Sequence, residues 1–65
     1  MGQRDANLLW LKDLLEHLNV TRQELAMADQ AEAIRVLTES MLRDLESCRR
    51  VCETLRRRAG IRQAG

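Results

Sequence analysis

The residues best equipped for chemistry are two thiols one helical turn apart, Cys48 and Cys52, in the segment Cys48-Arg49-Arg50-Val51-Cys52. A C-x₃-C pair on a helix puts both sulfurs on one face, where they could share a soft metal ion. Zinc takes four ligands, and this segment offers two sulfurs, so a closed site would need a second copy brought in by a nearby two-fold axis. Two small, reduced thiols on an apolar stripe in a reducing compartment are the simpler expectation. No metal and no cofactor are expected, with Cys48 and Cys52 the candidate ligands if a metal is held. His17 falls on the polar side of its segment and should face solvent. A turn near Asp29 would set residue 17 beside residue 40, away from the thiols. Ser40 and Ser47 have no histidine near them in sequence to act as a base, so catalysis is not expected.

The remaining chemical candidate is charge. Residues 1–47 carry five basic and nine acidic side chains, a balance of −4, whereas residues 48–65 carry six Arg against Glu53 alone, a balance of +5. An electrostatic partner should prefer this C-terminal end. Glu46 to Arg50 and Glu53 to Arg57 are i,i+4 pairs in the favourable order, and the last turn of a helix gains from basic residues whatever it binds. That leaves Arg56, Arg58 and Arg62 as candidate contacts to a nucleic acid or an acidic partner. No aromatic residue lies nearby to stack on a base, and a solvated helix end is the favoured reading.

The elements that must position these groups are helical. Sixty-five residues with 45% hydrophobic content, no Pro, no Phe and no Tyr exclude an all-β domain and argue against disorder. At 100° per residue, Trp10, Leu11, Leu14, Leu15, Leu18 and Leu25, with Leu8, fall within an arc of about 160°. This predicts a first helix over about 5–27, capped by Asp5 or Asn7. Ile34, Leu37, Met41, Leu45, Cys48, Cys52, Leu55 and Ala59 recur at spacings of three and four, predicting a second helix over about 30–59 that Gly60 ends as a left-handed cap. Asp29 and Glu32 suggest a capping box at its start. Thr21 and Glu24 form a competing one, but Leu25 keeps the phase of the preceding leucines and favours one continuous first helix.

The stretch from Leu14 to Ala26 resembles the turn region of helix-turn-helix DNA-binding proteins, with Leu18, Val20 and Leu25 at the apolar positions of that pattern. The resemblance covers about a fifth of the chain and implies a break near Asn19 and a recognition helix after it. The chain departs from the pattern at Leu15, where a small residue is usual, and at Asn19, where Gly is usual. The segment that would read DNA carries Glu24, Asp29 and Glu32 against Arg22, which repels phosphate.

The expected fold is all-α: residues 1–65 as a single two-helix antiparallel hairpin with short flexible ends. Two helices make a seam but no interior, and the wide face of the first helix would stay wet unless something covered it. The hairpin is therefore expected to assemble as a dimeric four-helix bundle. The expected function is that of a non-enzymatic protein-interaction module, an adaptor or small chaperone-like protein, binding itself or another helical protein through Trp10, Leu11, Leu14, Leu15 and Leu18. A nucleic-acid-binding regulator using the Arg cluster and a metal-handling bundle using the thiols are the alternatives. The longest run of large apolar residues is Leu8-Leu9-Trp10-Leu11, too short to span a bilayer. Met1-Gly2 lacks the Ser or Thr at position 6 that a myristoylation signal requires, since Ala6 stands there. A cytoplasmic protein with no membrane association is expected.

Overall fold

A computed structural model describes the chain over residues 2–64, and its side chains over residues 2–59. Two helices, α1 (Gln3–Met27) and α2 (Ala31–Ala64), pack antiparallel as a hairpin measuring 53 × 19 × 12 Å. At 1.5 Å per residue, α2 alone accounts for about 51 Å of that length.

The first helix begins two residues earlier than expected. Its N-cap is Gly2, which has no side chain to offer, so neither Asp5 nor Asn7 caps it: Asp5 lies in the first turn, where its charge suits the helix dipole, and Asn7 is half-buried. α1 then runs unbroken through Asn19, Val20 and Thr21. The Thr21 hydroxyl donates to the His17 carbonyl at 3.0 Å, so the residue that could have capped a new helix is bonded inside the existing one. The helix-turn-helix break therefore does not form.

The connection spans Ala28 to Gln30, with Ala28 in an extended conformation. The capping box expected there does not form either. α2 starts at Ala31, and Glu32 pairs with Arg35 at 2.6 Å instead of reaching back. Nor does Gly60 end the second helix, which continues to Ala64.

The seam follows a strict three-four spacing. On α1 the residues withdrawn from solvent are Asn7, Leu11, Leu14, Leu18, Thr21, Leu25 and, just past the helix, Ala28. On α2 the matching row is Leu37, Met41, Asp44, Cys48, Val51 and Leu55. This is the spacing that keeps one stripe facing one neighbour along two paired helices. Burial is nevertheless shallow: among the described residues, Val51 and Thr21, each at 2% relative exposure, are the buried ones.

Two side-chain bonds pin the register. His17 Nδ1 donates to Asp44 Oδ2, and Arg58 Nη1 donates to Gln3 Oε1 at 2.6 Å. Residues 3 and 17 are two heptads apart, as are 44 and 58, so both bonds report the same alignment. His17 thus lies level with Asp44, one turn further along α2 than the residue 40 expected from the turn position. It is exposed, as expected, but not free.

Candidate functional site

The seam divides the wide apolar arc of α1 instead of leaving it whole. Leu11, Leu14 and Leu18, from the middle of the arc, are half-buried against α2. Its two edges remain exposed on opposite sides of the hairpin: Leu8 and Leu15 on one, Trp10 on the other. The five residues expected to form one binding face are therefore distributed among the seam (Leu11, Leu14, Leu18), one flank (Leu15) and the other flank (Trp10).

The second helix is divided in a different way. The stripe expected to be buried includes Ile34, Leu45, Cys52 and Ala59, yet all four are exposed. The seam instead uses Asp44 and Val51, which lie about 60–80° around the helix from Met41. α2 is thus rotated so that one edge of its apolar stripe meets α1 and the other faces out.

The two exposed edges lie on the same side of the hairpin. Leu8 and Leu15 directly follow seam residues Asn7 and Leu14; Leu45 and Cys52 directly follow seam residues Asp44 and Val51. Both helices are right-handed and run in opposite directions, so a rotation in the same sense from each seam leads to the same flank of the pair. The register then sets Leu8 near the level of Cys52 and Leu15 near the level of Leu45. Leu15 is 54% exposed and Leu45 50%. We call this the leucine flank. On the α1 side it holds an open depression of about 400 Å³ lined by Leu8, Leu11, Lys12, Leu15, Glu16 and Asn19. Lys12 and Glu16 form an ion pair at 3.0 Å on its rim. That hydrogen bond and the Glu16 charge hold the Lys12 ammonium above the ordinary lysine pKa.

The opposite flank is composed differently. The residues preceding seam positions there are Trp10, His17, Ser40, Ser47 and Thr54. Trp10 there, with Val20 and Val36 further round on the same side, is exposed apolar surface interspersed with these polar residues, so the two flanks differ in how their apolar residues are grouped.

The two thiols are both free. Cys48 is half-buried in the seam and Cys52 is exposed on the leucine flank. Burial pushes the Cys48 thiol above its ordinary pKa, with smaller contributions from Cys52 and Asp44. Among the described residues no group of three or more His, Cys, Asp and Glu is placed to hold a metal ion. What one chain offers a metal at this point is the Cys48 and Cys52 sulfurs.

The Arg cluster is largely engaged in its first half. Arg49 bonds Glu46 at 2.6 Å and Glu53 at 2.7 Å, and Arg50 reaches Glu46 at 3.3 Å. Glu53 is therefore taken by Arg49 and not by Arg57, with which sequence spacing had matched it. The Arg49 hydrogen bond, ahead of its charge and the contribution of Arg50, holds the Glu46 carboxyl below the ordinary carboxylate pKa. Arg56 and Arg58 are exposed, and Arg58 is tied to Gln3. Arg62 lies outside the residues whose side chains are described.

The sequence places Leu8 and Leu45 in apolar stripes without marking them as contact residues, reads Thr21 as a cap and not a seam residue, and gives no role to Asp44. The available signal was position: each exposed leucine-flank residue comes immediately after every second seam residue. No family model, curated protein or solved structure matches the chain. Among the described residues, no helix is long and apolar enough to cross a membrane.

Proposed function

We propose that this chain is a non-enzymatic helical interaction module, adaptor-like in action, which packs its leucine flank against the helices of a protein partner. The observation that carries this reading is the placement of Leu8, Leu15, Leu45 and Cys52, two from each helix and paired in level, on one side of a hairpin whose other side spaces Trp10, Val20 and Val36 among polar residues. Exposed apolar surface shared between two elements marks a contact region more strongly than single scattered leucines do. A helix laid along the flank would bury these residues between the Lys12–Glu16 rim and the Arg49 network, which supply polar edges of both signs. Two free thiols suit a reducing compartment, and the cytoplasm is the proposed location.

Site-specific photo-crosslinking in the native cell tests the reading. A photoreactive residue at position 15 or 45 should capture a protein partner, and one at position 10 or 54 should not. Capture from 10 or 54 with none from 15 or 45 would overturn it.

A further inference from the structure

We infer that the partner on the leucine flank is a second copy of this chain, stacked face to face to form a four-helix bundle. The inference rests on the interaction-module reading and names its occupant. The chain exposes 5358 Å². A compact monomer of its 7.5 kDa mass exposes about 4,200 Å², so the hairpin carries roughly 1,100 Å² beyond what its size requires. Where both helices lie side by side, over the roughly 38 Å of α1 and the 19 Å width, the broad face offers about 700 Å² in projection, close to the ~800 Å² per partner of a standard protein interface. A second hairpin has the same width and length as the face it would cover.

The flank is also self-complementary. Its apolar residues come in level pairs, Leu8 with Cys52 and Leu15 with Leu45, so the strip is apolar from one helix to the other over the half away from the turn, and Arg22 with Thr38 continues it as a polar pair toward the turn. Turned by a two-fold axis lying in the interface, either helix of one copy meets an apolar edge of the other, and each helix gains a second antiparallel neighbour. Each chain carries a net charge of +1, so two copies meet with little overall repulsion. Trp10, on the far flank, stays outside the bundle and serves as an internal control.

Sedimentation equilibrium of the whole chain from about 1 to 100 µM tests this, because mass action makes association visible across such a range. The wild type should approach twice the chain mass. Leu15→Glu and Leu45→Glu should each weaken association by about a hundredfold or more, since the symmetric interface buries every added charge twice. Trp10→Glu should associate like the wild type. Far-UV ellipticity checks that the variants remain helical. If a Glu variant unfolds, Leu15→Ser with Leu45→Ser decides in its place, and Leu15→Met should keep the dimer. Monomer mass for the wild type throughout, or dissociation by Trp10→Glu with Leu15→Glu unaffected, overturns the inference. Monomer mass together with photo-crosslinks from position 45 to a different protein removes the second copy but keeps the interaction module. Monomer mass with no such crosslink removes both.

Discussion

Replacing Asp44 by Leu should stabilise the hairpin. Asp44 occupies a seam position between Met41 and Cys48, where a coiled pair ordinarily places an apolar side chain, and its side chain is 18% exposed. Its partner His17 is more than half exposed, so the hydrogen bond is worth no more than an exposed polar pair, about 0.2–1 kcal/mol. A Leu at this site would withdraw about four-fifths of its side chain from water. At about 2 kcal/mol for full burial this returns roughly 1.6 kcal/mol. The net expectation is a gain of about 1 kcal/mol, or about 4–8 °C in Tm for a domain of this size. Thermal and urea melts followed by ellipticity, at one fixed chain concentration, measure it; the urea midpoint should rise with little change in slope. His17→Ala should cost a few tenths of a kcal/mol in the wild type and nothing in the Asp44→Leu background, which isolates the pair as a double-mutant cycle. A Tm lowered by several degrees in Asp44→Leu would refute the reasoning. It would mean that the seam needs the His17–Asp44 bond more than it needs apolar area.

Other expectations follow from the same geometry. Cys48 should alkylate more slowly than exposed Cys52 near pH 8, and mass spectrometry of partly alkylated chain resolves the two. Because burial raises the Cys48 pKa in the folded state, the stability it contributes is complete below the unfolded thiol pKa and is lost as pH rises through the folded value. Stability should therefore fall above about pH 9, and Cys48→Ala should flatten that fall in pH-dependent melts. Gly60→Ala should raise stability by about 0.5–1 kcal/mol, because α2 runs through residue 60 and alanine is the better helix former; a left-handed cap there would give the opposite sign in a thermal melt. Arg49→Gln should let the Glu46 carboxyl titrate nearer the ordinary carboxylate range, read by carbon NMR of the side chain, since the Arg49 hydrogen bond is the main cause of its lowering.

The helices themselves were legible from periodicity. Leu8, Leu11, Leu15, Leu18 and Leu25 hold one phase across 18 residues, and α1 is continuous over them. The turn was legible from the capping-box pattern at Asp29 and Glu32, and the connection does fall at Ala28 to Gln30 although the box itself is not made. What periodicity does not contain is which edge of a stripe meets a single neighbour. On α2 the expected stripe spans about 80°, no wider than the seam that forms, and the sequence alone gives no reason to shift that seam toward the Asp44–Val51 edge. The grouping of Trp10 with Leu15 failed for the same reason: a helical arc looks like one surface until a neighbour bisects it. An apolar pattern does not mark Thr21 and Asp44 as seam residues, because polar side chains carry no weight in it. Each is satisfied locally, Thr21 by the His17 carbonyl and Asp44 by the His17 ring. Local caps misled most. Asp29, Asn7 and Gly60 have the right chemistry at plausible places, but the interhelical register overrides preferences worth about 1 kcal/mol each.

A partner that covers the leucine flank and leaves the tryptophan flank open should shield native Cys52. Its iodoacetamide alkylation rate in a Cys48→Ala chain can be compared with that of Thr54→Cys in a Cys48→Ala, Cys52→Ser chain, each from about 1 to 100 µM protein. Cys52 should slow several-fold as concentration rises while the thiol introduced by Thr54→Cys keeps its rate. Slowing of the Thr54→Cys chain with Cys52 unprotected would contradict it.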